Sequence, residues 1–238
     1  MGLDWRDPKA YDFCQNLTSA QWAWEFLRRN PEYRRQWQEF WETWQALEAD
    51  HGRPPDRDFC AWKNDPRAWV PAEECPEGDC RIDGDKVLIE CALGARWGFH
   101  KFPPDPADDD PVGAGRLSWR DVQASVPVVT SKDDGVLDRP QILALAFDLS
   151  LPLRPQLEQA RRQLSSELAL RRRRGEVTPQ RVSRLRDHWT LLLRLLDAEA
   201  AGELTAFAEE QGPSWRALQA EAHALRDGGY RRLLAVPD

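Results

Sequence analysis

The last fifty or so residues constrain this chain most, because glycine interrupts them at three places. Helical periodicity runs through residues 189–201, 204–211 and 214–227, and Gly202, Gly212-Pro213 and Gly228-Gly229 end the three segments in turn. Ser214 is the expected N-cap of the third helix, its hydroxyl taking up an amide that the first turn leaves unpaired. Two helices joined by a tight glycine turn, behind a longer supporting helix, predict a helix-turn-helix near 189–234.

The third helix has two sides. Trp215, Leu218, Ala222 and Leu225 follow helical spacing and are expected to pack on the first helix. Arg216, Gln219, His223 and Arg226 form a polar stripe beside that apolar face. Arg and Gln can read base edges in a major groove, and all four side chains can reach phosphates. The bland alternative is an ordinary solvated helix face.

The charge distribution points the same way. The chain carries a net charge of −7, which by itself argues against nucleic acid. Residues 1–149 hold 18 Lys/Arg against 28 Asp/Glu, however, while residues 150–238 hold 15 against 12. The basic excess centres on Arg171, Arg172, Arg173, Arg174, Arg181, Arg184 and Arg186, and Arg231 and Arg232 lie further on. Such a local footprint is what contact with a phosphate backbone requires. A basic face for an acidic protein partner, another copy of the chain included, is the competing reading.

Hydrophobic residues make up 41% and charged residues 31%, the balance of a folded globular chain. The apolar runs are far too short to span a membrane. Asp4, Arg6, Asp7, Lys9 and Asp12 leave no apolar signal core at the start, so a cytoplasmic location is expected. Cys14, Cys60, Cys75, Cys80 and Cys91 are an odd set, which in that setting predicts free thiols. Cys75 and Cys80 make one loose pair, short of the converging ligands a zinc site needs. No Walker A, GxGxxG, GxSxG, HExxH or calcium-loop pattern occurs, so neither an enzyme nor a cofactor or metal is expected.

In the front half, Thr18 or Ser19 caps a helix to Arg29, and Asn30-Pro31 breaks it and starts the next. Tyr33, Trp37, Phe40, Trp41, Trp44 and Leu47 then make an apolar stripe. It reads as the core of a helical hairpin, with part of the tryptophan face an alternative assembly surface. Residues 52–85 read as surface loop, 86–92 as a short strand or helix start, and 103–115 as a loop. Residues 125–131 and 141–150, separated by Asp133-Asp134-Gly135, read as a strand pair. A helix then follows Pro152 and Pro155 through Leu157, Ala160, Leu164 and Leu168, and another begins at Thr178-Pro179. The fold expected is mainly α (α+β).

Two segments carry a family resemblance. LLRLLDAEAAG (192–202) with LRDGGYRRLL (225–234) resembles the RovC-like DNA-binding domain. WAWEFLRRNPEYRRQW (22–37) with ARWGFHKFPPDP (95–106) resembles the proteobacterial transcriptional regulator-like domain. The resemblance implies a regulator-like domain over 1–110, a linker with the first strand over 111–140, and a DNA-binding domain over 141–238. It implies a transcription factor, an activator of promoters such as those of type VI secretion genes, binding duplex DNA as a homo-oligomer, with a ring such as a hexamer as one form. The alternative is an antiactivator that holds a partner protein. Glu209 and Glu210 on the short helix favour that alternative, since they repel phosphate.

Overall fold

Polar caps start the first two helices as the sequence predicts. The computed structural model describes residues 3–76, 80–100, 102–115, 118–121, 141–178 and 180–238. A 3-10 run over Pro8–Asn16 leads to α1, Ser19–Leu27, where Thr18 and Gln21 form a reciprocal capping box. Asn30 caps α2, Pro31–His51, its side chain accepting from the amides of Glu32 and Tyr33 at 2.9 Å. The amide of Asn30 donates back to Arg226 and Asp227, so this one buried residue also holds the C-terminal part of the chain.

The stripe along α2 buries Tyr33, Phe40, Trp44 and Leu47. Its polar handles are used as well: Trp37 Nε1 and Tyr33 Oη donate to the carbonyls of Pro103 and Pro104. Trp24 Nε1 donates to the carbonyl of Asp108, 3.0 Å away. The loop expected over 103–115 is thus irregular but strapped down by aromatic donors.

The stretch 52–85, read from sequence as loop, contains α3, Phe59–Asn64, and strands β1, Trp69–Pro71, and β2, Arg81–Ile82. Strand β3, Lys86–Leu88, lies between them in an antiparallel sheet of order β1-β3-β2. Val70 faces Val87 across one ladder, and Ile82 faces Lys86 across the other. The β2–β3 turn is made by Asp83 and Gly84, both at positive φ (53° and 84°), the Asp-Gly chemistry of a hairpin. From β3 the chain passes straight into α4, Ile89–Trp97, which ends at the left-handed Gly98 (φ 92°). Residues 86–92 are therefore both a strand and a helix start. Cys80 and Cys91 form a disulfide, with Cα atoms 5.9 Å apart, against the expectation of free thiols; Cys14, Cys60 and Cys75 are free.

A strand pair is expected from the sequence over 125–131 and 141–150. Residues 125–131 lie outside the described residues, and 141–150 form no strand. Instead Asp148 and Gln156 exchange hydrogen bonds at 2.9 Å just ahead of α5, Leu153–Arg173.

Packing divides the chain into two compact units, residues 1–123 with 181–238, and residues 124–180. Both chain ends contribute to the core of the larger unit. In that larger unit, α6, Val182–Ala200, buries Trp189, Leu192, Leu193, Leu195 and Leu196. Trp189 meets Trp22 of α1 edge-on at 5.3 Å, and Phe207 of α7, Leu204–Gln211, meets Trp5 at 5.6 Å. A buried ionic cluster joins the same elements. Arg29 donates to both oxygens of Asp197 at 2.8 and 2.9 Å and to Glu25, while Tyr11 donates to Asp197 at 2.6 Å. Burial opposes the Arg29 charge, but Glu25 and Asp197 more than offset this and hold its pKa above the ordinary value. A second, smaller core of Phe40, Trp44, Leu47, Trp62, Ala68 and Leu93 lies between α2, α3 and α4.

Candidate nucleic-acid interface

Helix α7 and helix α8, Trp215–Ala224, are joined by a single 3-10 turn over Gly212–Ser214, with Gly212 at φ 66°. Both pack on α6. Ser214 is not the expected cap. It has helical backbone angles, and its hydroxyl donates backwards to the carbonyl of Gln211 at 3.2 Å. After α8 the chain bulges through a π turn, Leu225–Gly229, with Gly228 at φ 143°, and ends in α9, Tyr230–Leu233.

The apolar side of α8 lies as expected, with Ala222 buried and Leu218 and Leu225 against the core. The polar stripe is not a free face. Glu199, near the end of α6, accepts from His223 Nε2 at 2.9 Å, Arg226 Nη1 at 3.2 Å and Gln219 Nε2 at 3.4 Å. Arg226 also grips Asp227 with two bonds of 2.7 and 2.9 Å. That hydrogen bonding outweighs partial burial and raises its pKa. Three of the four predicted readout residues thus form a polar seam between α6 and α8. Glu199 was missed from sequence, although it lies on the helix the apolar side was expected to meet.

What α8 shows to solvent is Arg216 among Ala217, Ala220, Glu221 and Ala224. The Arg216 guanidinium lies 5.7 Å from the ring centre of Trp215, and Glu221 pairs with His188 at 2.9 Å. On α7, Glu209 and Glu210 are exposed, with Glu210 turned toward Arg194 at 3.3 Å. Among the described residues, this surface has one basic group without an ion pair and several acids.

The other predicted basic residues divide into held and unpaired. Arg231 donates to the carbonyl of Arg96 and lies against Gly98, where a Cβ would sit 3.3 Å from its Nε. Neighbouring Tyr230 donates to the carbonyl of Trp97 at 2.9 Å, so α9 is fastened to the end of α4. Arg232, and Arg181 and Arg184 at the start of α6, are exposed and make no ion pair among the described residues. In the second unit, Arg171 bonds Glu167 at 2.8 Å and the carbonyl of Ile142 at 2.9 Å, and Arg174 approaches Glu176 at 3.8 Å. Arg172 and Arg173 are exposed, as are Arg161 and Arg162 two turns or more earlier on α5, and none of the four makes an ion pair among the described residues. Arg161 and Arg162 were absent from the predicted set. The signal that finds them is helical continuity: they share α5 with the arginine run.

Residues 4–59 match the family model of the proteobacterial transcriptional regulator-like domain. The N-terminal segment is thus similar to a transcriptional regulator-like domain. This matched domain comprises the 3-10 run, α1 and α2, and reaches the first residue of α3. The match ends at Phe59, so the RovC-like resemblance of 192–234 rests on those residues alone. No curated protein and no solved structure matches the chain.

Proposed function

We propose that the chain is a transcriptional regulator that binds promoter duplex DNA as a homo-oligomer, without a catalytic step. The regulator-like domain at 4–59 supports the regulatory role. The observation that carries DNA contact is the set of α5 arginines that make no ion pair among the described residues: Arg161, Arg162, Arg172 and Arg173. Exposed guanidinium groups without carboxylate partners are free to neutralise phosphates and release counterions. Arg181, Arg184 and Arg232 are available for the same purpose. In this reading α5 supplies affinity and Arg216 is the one base-reading candidate left on α8, the rest of its stripe being held by Glu199.

The RovC-like resemblance adds the finer expectation of an activator, of promoters such as those of type VI secretion genes. A second reading has its own observation in support. The solvent face of α7 and α8 combines alanines with Glu209, Glu210 and Glu221, which suits a protein partner better than a phosphate backbone. An antiactivator would use that face.

Fluorescence anisotropy of the full chain on its own upstream duplex, over a salt series, separates the two. The DNA reading expects affinity to fall linearly in log–log form as salt rises. No binding at low salt to this or any scrambled duplex would favour the protein-partner reading.

A further inference from the structure

A cavity of about 540 Å³ opens in the larger unit between α2, α4, β1 and the connection that follows β1. Its size is that of a site for a small molecule. Buried Phe40 and Leu93 line it together with the partly buried Trp69 and Ile89, all four belonging to the second core. Such a lining favours a ligand with an apolar body, because it releases the water held against these side chains.

Four charged side chains line the same cavity, and pairing separates them. Arg67 is held by Asp50 and Asp65 at 2.5 and 2.6 Å, and Glu39 by Arg35. Arg96 and Glu74 are exposed and make no ion pair among the described residues. Arg96 is oriented all the same. Its Nη1 donates to Gln36 Oε1 at 3.3 Å, and the same oxygen accepts from Trp97 Nε1 at 3.0 Å. Gln36 is fixed in turn by a bond of 2.6 Å to Glu32. The Glu32 charge also acts on Arg96, but Arg35 takes that carboxylate at 2.6 and 2.9 Å. The Arg96 fork therefore keeps donors for a planar anion. Glu74 has no side-chain hydrogen bond among the described residues that would fix its direction in the same way.

We infer that this cavity binds a small amphipathic carboxylate, its apolar body over Phe40, Trp69, Ile89 and Leu93 and its carboxylate on Arg96. A monoanion suits the site better than a phosphate, because Glu39 and Glu74 repel a second negative charge. A cationic ligand has only the unfixed Glu74 to meet and is repelled by Arg96. The site adjoins the anchor of α9: the backbone carbonyl of Arg96 accepts from Arg231, and that of Trp97 from Tyr230 at 2.9 Å. The inference goes beyond the regulatory reading and does not depend on DNA.

Isothermal titration calorimetry of the full chain provides the test, with phenylbutyrate and octanoate as carboxylate probes and phenylbutylamine as the cationic counterpart. The expected result is one saturable site per chain for a carboxylate, with the amine at least tenfold weaker. Arg96→Gln should weaken the carboxylate about tenfold or more, and Arg96→Lys less, since it keeps the charge and loses the fork. Thiol labelling places the ligand. Cys75 lines the cavity and Cys60 is exposed outside it. Saturating carboxylate should slow iodoacetamide labelling of Cys75 severalfold and leave Cys60 unchanged. Ala92→Phe, which fills the cavity from α4, should abolish both binding and protection. No saturable binding of either carboxylate at millimolar concentration overturns the inference. So does an amine that binds as tightly, or binding that Arg96→Gln leaves unchanged. If Ala92→Phe misfolds, labelling of the unsubstituted chain decides, and failure to protect Cys75 in preference to Cys60 overturns it. No readout involves DNA, so failure here and failure of the DNA reading are distinguishable.

Discussion

Helices α8 and α5 both carry the basic residues that contact with DNA requires, and they differ in where those charges end. On α8 and the turn after it, Gln219, His223 and Arg226 turn inward onto Glu199 of the supporting helix, leaving Arg216 outside. On α5, Arg161, Arg162, Arg172 and Arg173 face solvent and pair with no carboxylate among the described residues. A polar stripe at the border of a buried face can therefore be seam as easily as surface.

The comparison breaks most readily at the platform under α8. Arg29→Ala leaves the buried Asp197 carboxylate without its cation two residues before Glu199, and should cost about 3–5 kcal/mol in urea unfolding. A loss below about 1 kcal/mol would mean the cluster does not hold the chain ends together.

Next in size is a pH effect in the same unit. Glu90 lies at the start of α4 with Oε2 shielded and unpaired, and burial pushes its pKa up to about 7 from 4.5. The folded chain keeps that proton longer than the unfolded chain does. Stability should therefore be full below about pH 4.5 and fall as pH rises through about 7, by on the order of 3 kcal/mol. Glu90→Gln should flatten this part of the stability profile. A profile equally steep in the variant would contradict the assignment.

The seam itself gives a smaller change. Glu199→Ala removes the shared acceptor of three side chains and should cost about 1–3 kcal/mol in thermal unfolding. If the stripe were instead a reading surface, stability would hardly move and affinity for the specific duplex would. The smallest effect on stability belongs to Arg216→Ala, about 0.5 kcal/mol or less, because the side chain touches little beyond Trp215. Its effect on DNA sharpens the comparison: a drop of about 1–3 kcal/mol in affinity, confined to the specific duplex, marks a base contact.

Much of the fold was legible because local chemistry and packing agree. Thr18 with Gln21, Asn30 with Pro31, and Gly202, Gly212 and Gly228 place helix ends by backbone constraints that tertiary contacts do not override. The small sheet was missed for a physical reason. Its strands, Trp69–Pro71, Arg81–Ile82 and Lys86–Leu88, are too short to show an alternating pattern. The Asp83-Gly84 turn was the available signal, but Asp133-Asp134-Gly135 offered the same chemistry next to longer apolar runs. The site was less legible than the fold. Helical spacing gave the α8 stripe correctly, yet whether it faces water depends on Glu199, which comes from another helix. The partition of the chain depends likewise on Arg29 meeting Asp197, a contact across 168 positions that no local pattern encodes.

The central claim is that α5, more than the stripe of α8, supplies the electrostatic grip on DNA. It is tested most directly by the salt dependence of duplex binding for the full chain and for Arg161→Ala, Arg162→Ala, Arg172→Ala and Arg173→Ala combined. The account predicts that the combined variant weakens specific and scrambled duplexes alike, with the log–log salt slope reduced by about 0.9 for each phosphate that is no longer neutralised. An unchanged slope in this variant, with the slope reduced instead by Arg216→Ala, would contradict it.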